Sequence, residues 1–235
     1  MDSGFAQSGA LPVAHAGVDV RADFIMKTYI HLFGAMLFFT VVEIFFFQNG
    51  MAESMFNFVA GGGQMRWLLI LGAFMLVGWL ASRTAMQTES LPGQYGALAI
   101  YIIAEAVIFA PLLYMAFLYA PGAINSAAIV TLAGFACLTM VAFMTRKDFS
   151  FLGGLLRWGG IMAIVLIVAA AIFGFQLGTF FSVAMIAFAG GAILYDTSNI
   201  LHHYPEDRYV GAALSLFASV ALMFWYVLRL FMSRD

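Results

Sequence analysis

Charge is what this chain has least of: Asp, Glu, Lys and Arg together make up 9% of its 235 residues, against about a quarter in an ordinary soluble domain. So few ionised groups cannot cover the surface of a 25.6 kDa particle in water, which excludes a soluble globular protein. Basic blocks are absent too, and with a net charge of −2 nucleic acid is excluded as a partner class. A single cysteine, Cys137, forbids an internal disulfide; lying in an apolar stretch, it reads as a small buried hydrophobe. No Cys, His or carboxylate set stands at a metal-chelating spacing. Neither a zinc-protease spacing nor a Ser/His/Asp set is found, so the sequence names no catalytic machinery and no cofactor.

What remains is apolar: 64% of the residues are hydrophobic, with 25 Phe and 15 Met that suit lipid contact and core filling. A hydrocarbon layer about 30 Å thick takes roughly 20 helical residues to cross. Seven runs near that length lie at 26–47, 67–82, 94–119, 124–145, 151–173, 179–201 and 210–231. Gly, Pro and charged residues punctuate them at 48–66, 83–93, 120–123, 146–150, 174–178 and 202–209. Continuous apolarity over such lengths predicts helices, since barrel strands are shorter and alternate. Residues 1–23 hold no apolar run of signal-peptide length and read as a disordered cytoplasmic tail before one membrane domain at 24–235. With seven spans, Arg21, Lys27, Arg83, Arg146, Lys147 and Arg208 share the side of the N-terminus, and Arg66, Arg229 and Arg234 face the other. The positive-inside bias then places the N-terminus in the cytoplasm and the C-terminus outside.

Ionisable groups within hydrocarbon are costly and tend to face the bundle interior. Asp196 stands some six residues inside the end of the sixth span, about 10 Å deep, and is too short to snorkel. It must pair, hydrogen-bond, meet water or hold its proton. Asn199 and His203 continue its helical face, and Ser215 and Ser219 share a face of the seventh span at matching depth. Arg83 ends the second span on the same side and can supply a counter-charge, a latch that opens when Asp196 takes a proton. A structural hydrogen-bond network tying helices together explains the same stripe. Glu105 lies near mid-membrane, open to either an ion role or a neutral structural one. Glu43 is near enough to a span end to reach headgroups, Arg157 can snorkel, and His31 reads as a hydrogen-bonded interior residue. Adjacent His202 and His203 point about 100° apart, which suits a loop end better than one metal. Small residues such as Ala187 and Gly191, and the pairs Gly153–Gly154 and Gly159–Gly160, mark close helix packing.

The stretch GGAILYDTSNILHHYPEDRYVGAALSLF at 190–217 and the run on to Leu228, Arg229 and Leu230 resemble the Bax inhibitor-1 family, also called the transmembrane Bax inhibitor motif family. Weaker likenesses are FIMKTY at 24–29, AEAVIFAPLL at 104–113 and RKDFSFLG at 146–153, in order along nearly the whole chain. The resemblance implies an all-α integral membrane protein, a seven-helix bundle with its seventh span central. For bacterial members it implies an inner-membrane, pH-sensitive calcium leak, in which two aspartates share a proton and an arginine of the second span latches onto them. Asp196 matches the first aspartate and Arg83 the arginine, while Ser219 stands at the second aspartate and Leu222 at a nearby asparagine. The departure matters physically. A lone carboxylate lacks the like-charge coupling of a pair, and it offers calcium one hard oxygen group fewer, so Asp196 is a weak metal site by itself. The expected function is a cation leak, for calcium or protons as transported ions, gated by protonation of Asp196. The alternative is a non-conducting interaction protein, because some bacterial relatives are associated with membrane-protease quality control.

Overall fold

A backbone in hydrocarbon must satisfy its own hydrogen bonds, which leaves helices and closed barrels as spanning structures. The structure, a computed structural model, describes residues 12–233. Eight α-helices follow one another there: α1 (Val18–Gln48), α2 (Met51–Ala60), α3 (Gly63–Gln87), α4 (Leu91–Tyr119), α5 (Ala123–Thr145), α6 (Leu152–Phe173), α7 (Gly178–His202) and α8 (Tyr209–Met232). Seven of them, all but α2, are long and apolar enough to cross a membrane. The molecule is a seven-span integral membrane bundle, and large apolar side chains such as Phe33, Leu69 and Phe180 stand exposed on its outside, as lipid contact allows.

Most boundaries fall within two residues of the sequence expectation, but the second span is longer. α3 runs from Gly63 to Gln87, so Arg66 and Arg83 are helical residues rather than loop residues. α2 occupies the connection expected at 48–66. Ala52, Met55, Phe56 and Val59 repeat on one face of it and pack toward α4, where the Phe56 and Tyr114 rings are 5.6 Å apart.

The segment expected as a mobile tail is ordered from Pro12 onward. Pro12 bridges to Pro205, Val13 N–H donates to the Tyr204 carbonyl at 2.9 Å, and the Val13 side chain is fully buried. α1 begins at Val18, well before Asp23. Burying the Val13 side chain under the α7–α8 connection gives this segment a hold that a free tail would lack. Residues 1–11 of that expected tail lie outside the described residues.

α8 packs against α1, α3, α4, α5 and α7, and buried residues occur throughout its length. α4 shares the interior with it, carrying Pro111 within the helix and a Ser90 cap whose Oγ accepts from Gly93 N–H at 3.3 Å. The small residues of α6 lie under aromatic rings of α7: a Cβ on Gly159 would sit 3.0 Å from Phe188, and one on Gly153 would sit 2.9 Å from Tyr195. Cys137, expected to be buried, is exposed on α5, a position that an apolar side chain can hold on the outside of a spanning helix.

Candidate functional site

The C-terminal turn of α7 closes in an ordered way. His202 Nδ1–H donates to the Ser198 carbonyl at 2.9 Å, and the Asn199 carbonyl accepts from the backbone N–H groups of both His203 and Tyr204. Pro205 follows and cannot continue the helix. The chain then turns over Tyr204 into α8, bringing the last two turns of α7 alongside the first half of α8.

That juxtaposition creates the polar site. Asp196 lies six residues before the end of α7, about 9 Å along the helix. Its Oδ2 accepts from Ser219 Oγ–H at 2.5 Å, a short charge-assisted geometry when the carboxyl is ionised. One turn earlier on α8, Ser215 Oγ accepts from the Tyr204 hydroxyl at 3.1 Å. Burial, followed by the nearby Asp196 carboxylate, pushes the Tyr204 phenol up, so it stays a protonated donor. Asp196, Ser219, Ser215 and Tyr204 thus fasten α7, the connection and α8 at one end of the bundle.

Sequence expectations for this site divide. Asp196 and Ser219 meet directly, and Ser215 lies one turn away. Asn199 contributes its main-chain carbonyl rather than its side chain to the recorded hydrogen bonds. Arg83 is not brought to Asp196. Its side chain is exposed, Nε–H donates to Gln87 Oε1 at 3.0 Å, and the guanidinium lies 5.3 Å from the Trp79 ring centroid. Helical phase explains this: α3 buries Ala81 and Ala85, and a residue two positions from each points about 200° away from that face. Among the described residues no salt bridge reaches Asp196. None of the groups of three or more His, Cys, Asp or Glu that could hold a metal is present among them either, so Asp196 stands without further acidic ligands.

Glu105 occupies a different place. Buried on α4 with Oε2 unpartnered, it lines a cavity of about 570 Å³ shared with Trp67, Arg229 and Tyr226. The same cavity reaches Gly178 at the start of α7 and Ser233 after α8, the ends of those helices away from Asp196. It is a vestibule from the opposite side of the bundle, with a carboxyl inside.

The profile of the family described as inhibitor of apoptosis-promoting Bax1 matches residues 21–235. The chain belongs to the Bax inhibitor-1 family. Bax inhibitor 1 of Schizosaccharomyces pombe is 31% identical over 93% of this chain and 79% of its own length. The modulator of FtsH protease YccA of Escherichia coli is 40% identical over 43% of this chain, which spans about half of that relative (47%). The Golgi anti-apoptotic protein of vaccinia virus strain Lister is 24% identical over 93% of this chain and 88% of its own length.

Two residues of this Bax inhibitor-1 family member that sequence reasoning passed over complete the polar end. Tyr204 is one. The other is Asp148, in the connection before α6: Oδ1 accepts from Ser150 N–H at 2.8 Å and from Ser198 Oγ–H at 3.3 Å, and Oδ2 meets His203 Nε2 at 3.1 Å. Ser198 Oγ in turn accepts from Phe149 N–H at 2.8 Å. The Ser, His and Asp here converge on the carboxylate, with the serine bound to Asp148 and not to the histidine, so this is a structural clasp of α7 to the α5–α6 connection rather than a nucleophile and base. His31 is hydrogen-bonded, through Nδ1–H to the Lys27 carbonyl and Nε2 to the Tyr95 hydroxyl, both at 2.7 Å.

Proposed function

We propose that this protein is a pH-sensitive cation leak of the Bax inhibitor-1 type, passing calcium or protons, with Asp196 as its protonation gate and a bacterial inner membrane as its setting, N-terminus cytoplasmic. The observation that carries the reading is the Asp196 carboxyl, deep in a spanning helix, held by the Ser219 hydroxyl and, among the described residues, by no cation. An ionised carboxylate at that depth draws cations, and a proton on it removes the attraction. The Glu105 vestibule on the opposite side supports a path through the bundle. No arginine latch operates in this reading: Ser219 ties the ionised carboxylate to α8 and restrains passage, so flux requires that bond to give way while the carboxyl stays ionised, and a proton closes the path by removing the charge. One carboxylate passes a divalent ion without storing it, because stable calcium sites gather several oxygens and more than one acid. Membership of the family, and the description of a second Escherichia coli relative, YccA of strain O6:H1, as an inner membrane protein, agree with the setting.

The test is flux into liposomes holding the purified protein, with calcium- and proton-sensitive dyes inside. The native protein should conduct above empty vesicles at pH 8 and less at pH 6, and Asp196→Asn should fall to the empty-vesicle level at both. Native flux equal to that of empty vesicles throughout defeats the proposal.

A second reading is a non-conducting, non-enzymatic partner of a membrane protease, favoured by the relative described as a modulator of FtsH protease. Its sequence-level candidate for recognition is the N-terminal segment, of which Pro12 and Val13 are here pinned to the α7–α8 connection. Loss of protease co-purification on deleting residues 1–11, with flux absent in the native protein, distinguishes this reading from the leak.

A further inference from the structure

A second cavity, also about 570 Å³, lies between α1, α4, α5 and α8. Gln48 at the end of α1 and Asn125 at the start of α5 line it, so it sits toward the end of the bundle where those helices are connected through α2 and the α4–α5 turn. Asp196, Ser215 and Tyr204 lie toward the other end, and Ser219, midway along α8 between Phe217 and Val220, turns to Asp196 on α7 and is not part of the cavity lining. The two sites are therefore separate, and the inference below stands whether or not the leak does.

The cavity wall is almost wholly apolar and rich in aromatic rings, among them Phe39, Phe109, Phe217 and Phe224. Into that wall α1 places Glu43, 6% exposed, with neither carboxyl oxygen hydrogen-bonded, and α5 places Thr131, 2% exposed, with its hydroxyl likewise unpartnered. Sequence position suggested that Glu43 reaches headgroups; instead its side chain turns inward. Buried polar atoms are nearly always satisfied in native proteins, by protein, water or ligand. Three orphan oxygens on an apolar lining ask for a ligand that brings hydrogen-bond donors on a greasy body. An ionised carboxylate there also asks for positive charge.

A primary ammonium on an alkyl chain has that chemistry. Its N–H groups suit the Glu43 oxygens and the Thr131 hydroxyl, its charge matches the carboxylate, its chain suits the apolar wall, and the aromatic faces favour a cation further. The volume falls in the ordinary range for small-molecule sites. We propose that this cavity binds a lipophilic primary amine, with the Glu43 carboxylate receiving the ammonium group.

The experiment uses the full chain in phosphatidylcholine nanodiscs, with dodecylamine and dodecanol as probes and bound probe counted by native mass spectrometry. The native protein should bind the amine at least about tenfold tighter than the alcohol, the margin a charge-assisted bond adds over a neutral one. Glu43→Gln should remove that preference by lowering amine affinity to the level of the alcohol, and Ala128→Phe, which fills the cavity from α5, should weaken both probes. Equal affinity for amine and alcohol in the native protein overturns the proposal, as does a preference that survives both substitutions. Adding phosphatidylethanolamine to the nanodiscs separates two sources of the same chemistry: competition assigns the amine to a lipid headgroup, and its absence assigns it to a free amine.

Discussion

Asp148 sits in the connection between α5 and α6 and accepts hydrogen bonds from Ser150, Ser198 and His203. Burial pushes its carboxyl up, but the Ser150 and His203 interactions outweigh that and hold it below the usual aspartate range. A carboxyl depressed on folding contributes stability above its unfolded value, near about 3.9, and that contribution is lost as pH falls through the lowered folded value. The Asp148 and His203 side chains are both nearly half exposed, so water screens the pair and its worth is about 0–1 kcal/mol. Thermal unfolding followed by circular dichroism should show the native midpoint dropping more steeply than that of Asp148→Asn between pH 5 and 3; parallel profiles would remove the clasp from the account. At this scale the sequence revealed Asp196 and Ser219, because an acid inside an apolar run stands out and serines four apart share a face. Asp148 and Tyr204 did not stand out: a charged loop residue costs nothing in water, and a tyrosine near a span end also suits the membrane interface. Arg83 misled because its depth fitted while its helical phase did not, although Ala81 and Ala85 mark the inward face of α3.

Between elements, close approach is set by small residues, and Gly211 in the first turn of α8 is the tightest instance. A Cβ there would lie 2.7 Å from Met86 Sδ and 3.2 Å from the Ala85 carbonyl oxygen. The methionine can swing away, but the α3 backbone cannot, so Gly211→Ala should cost about 1–3 kcal/mol despite the better helix propensity of alanine. The measurement is the thermal midpoint in detergent, expected to fall by several degrees; an unchanged or raised midpoint would mean that α3 and α8 are not in close contact. All seven spanning helices were legible from run length, since nothing but a membrane calls for seven such stretches. α2 was not, because ten residues are too few to span, and its inward face at Ala52, Met55, Phe56 and Val59 shows only when phase is examined in place of mean apolarity. The N-terminal strap escaped for a related reason: its anchor is a pair of backbone contacts to residues about 190 positions away, which local pattern does not encode.

Across the whole molecule, polar chemistry is sorted by membrane side. One end carries Asp196, Ser219, Ser215, Tyr204 and the Asp148 clasp, while the vestibule at Glu105 and the Glu43 cavity open toward the other. Between them α8 touches five of its neighbours, so a change in how α7 is fastened to α8 can be felt across the bundle. In the leak proposed above, the bond from Ser219 to Asp196 is the fastening that must release. Side-by-side calcium flux at pH 8 into liposomes bearing the native protein or Ser219→Ala measures this most directly. Freed of its hydroxyl partner, the Asp196 carboxylate should pass calcium faster than in the native protein, by about threefold to tenfold, the equivalent of one hydrogen bond. Flux that is unchanged or lower in Ser219→Ala would contradict the account.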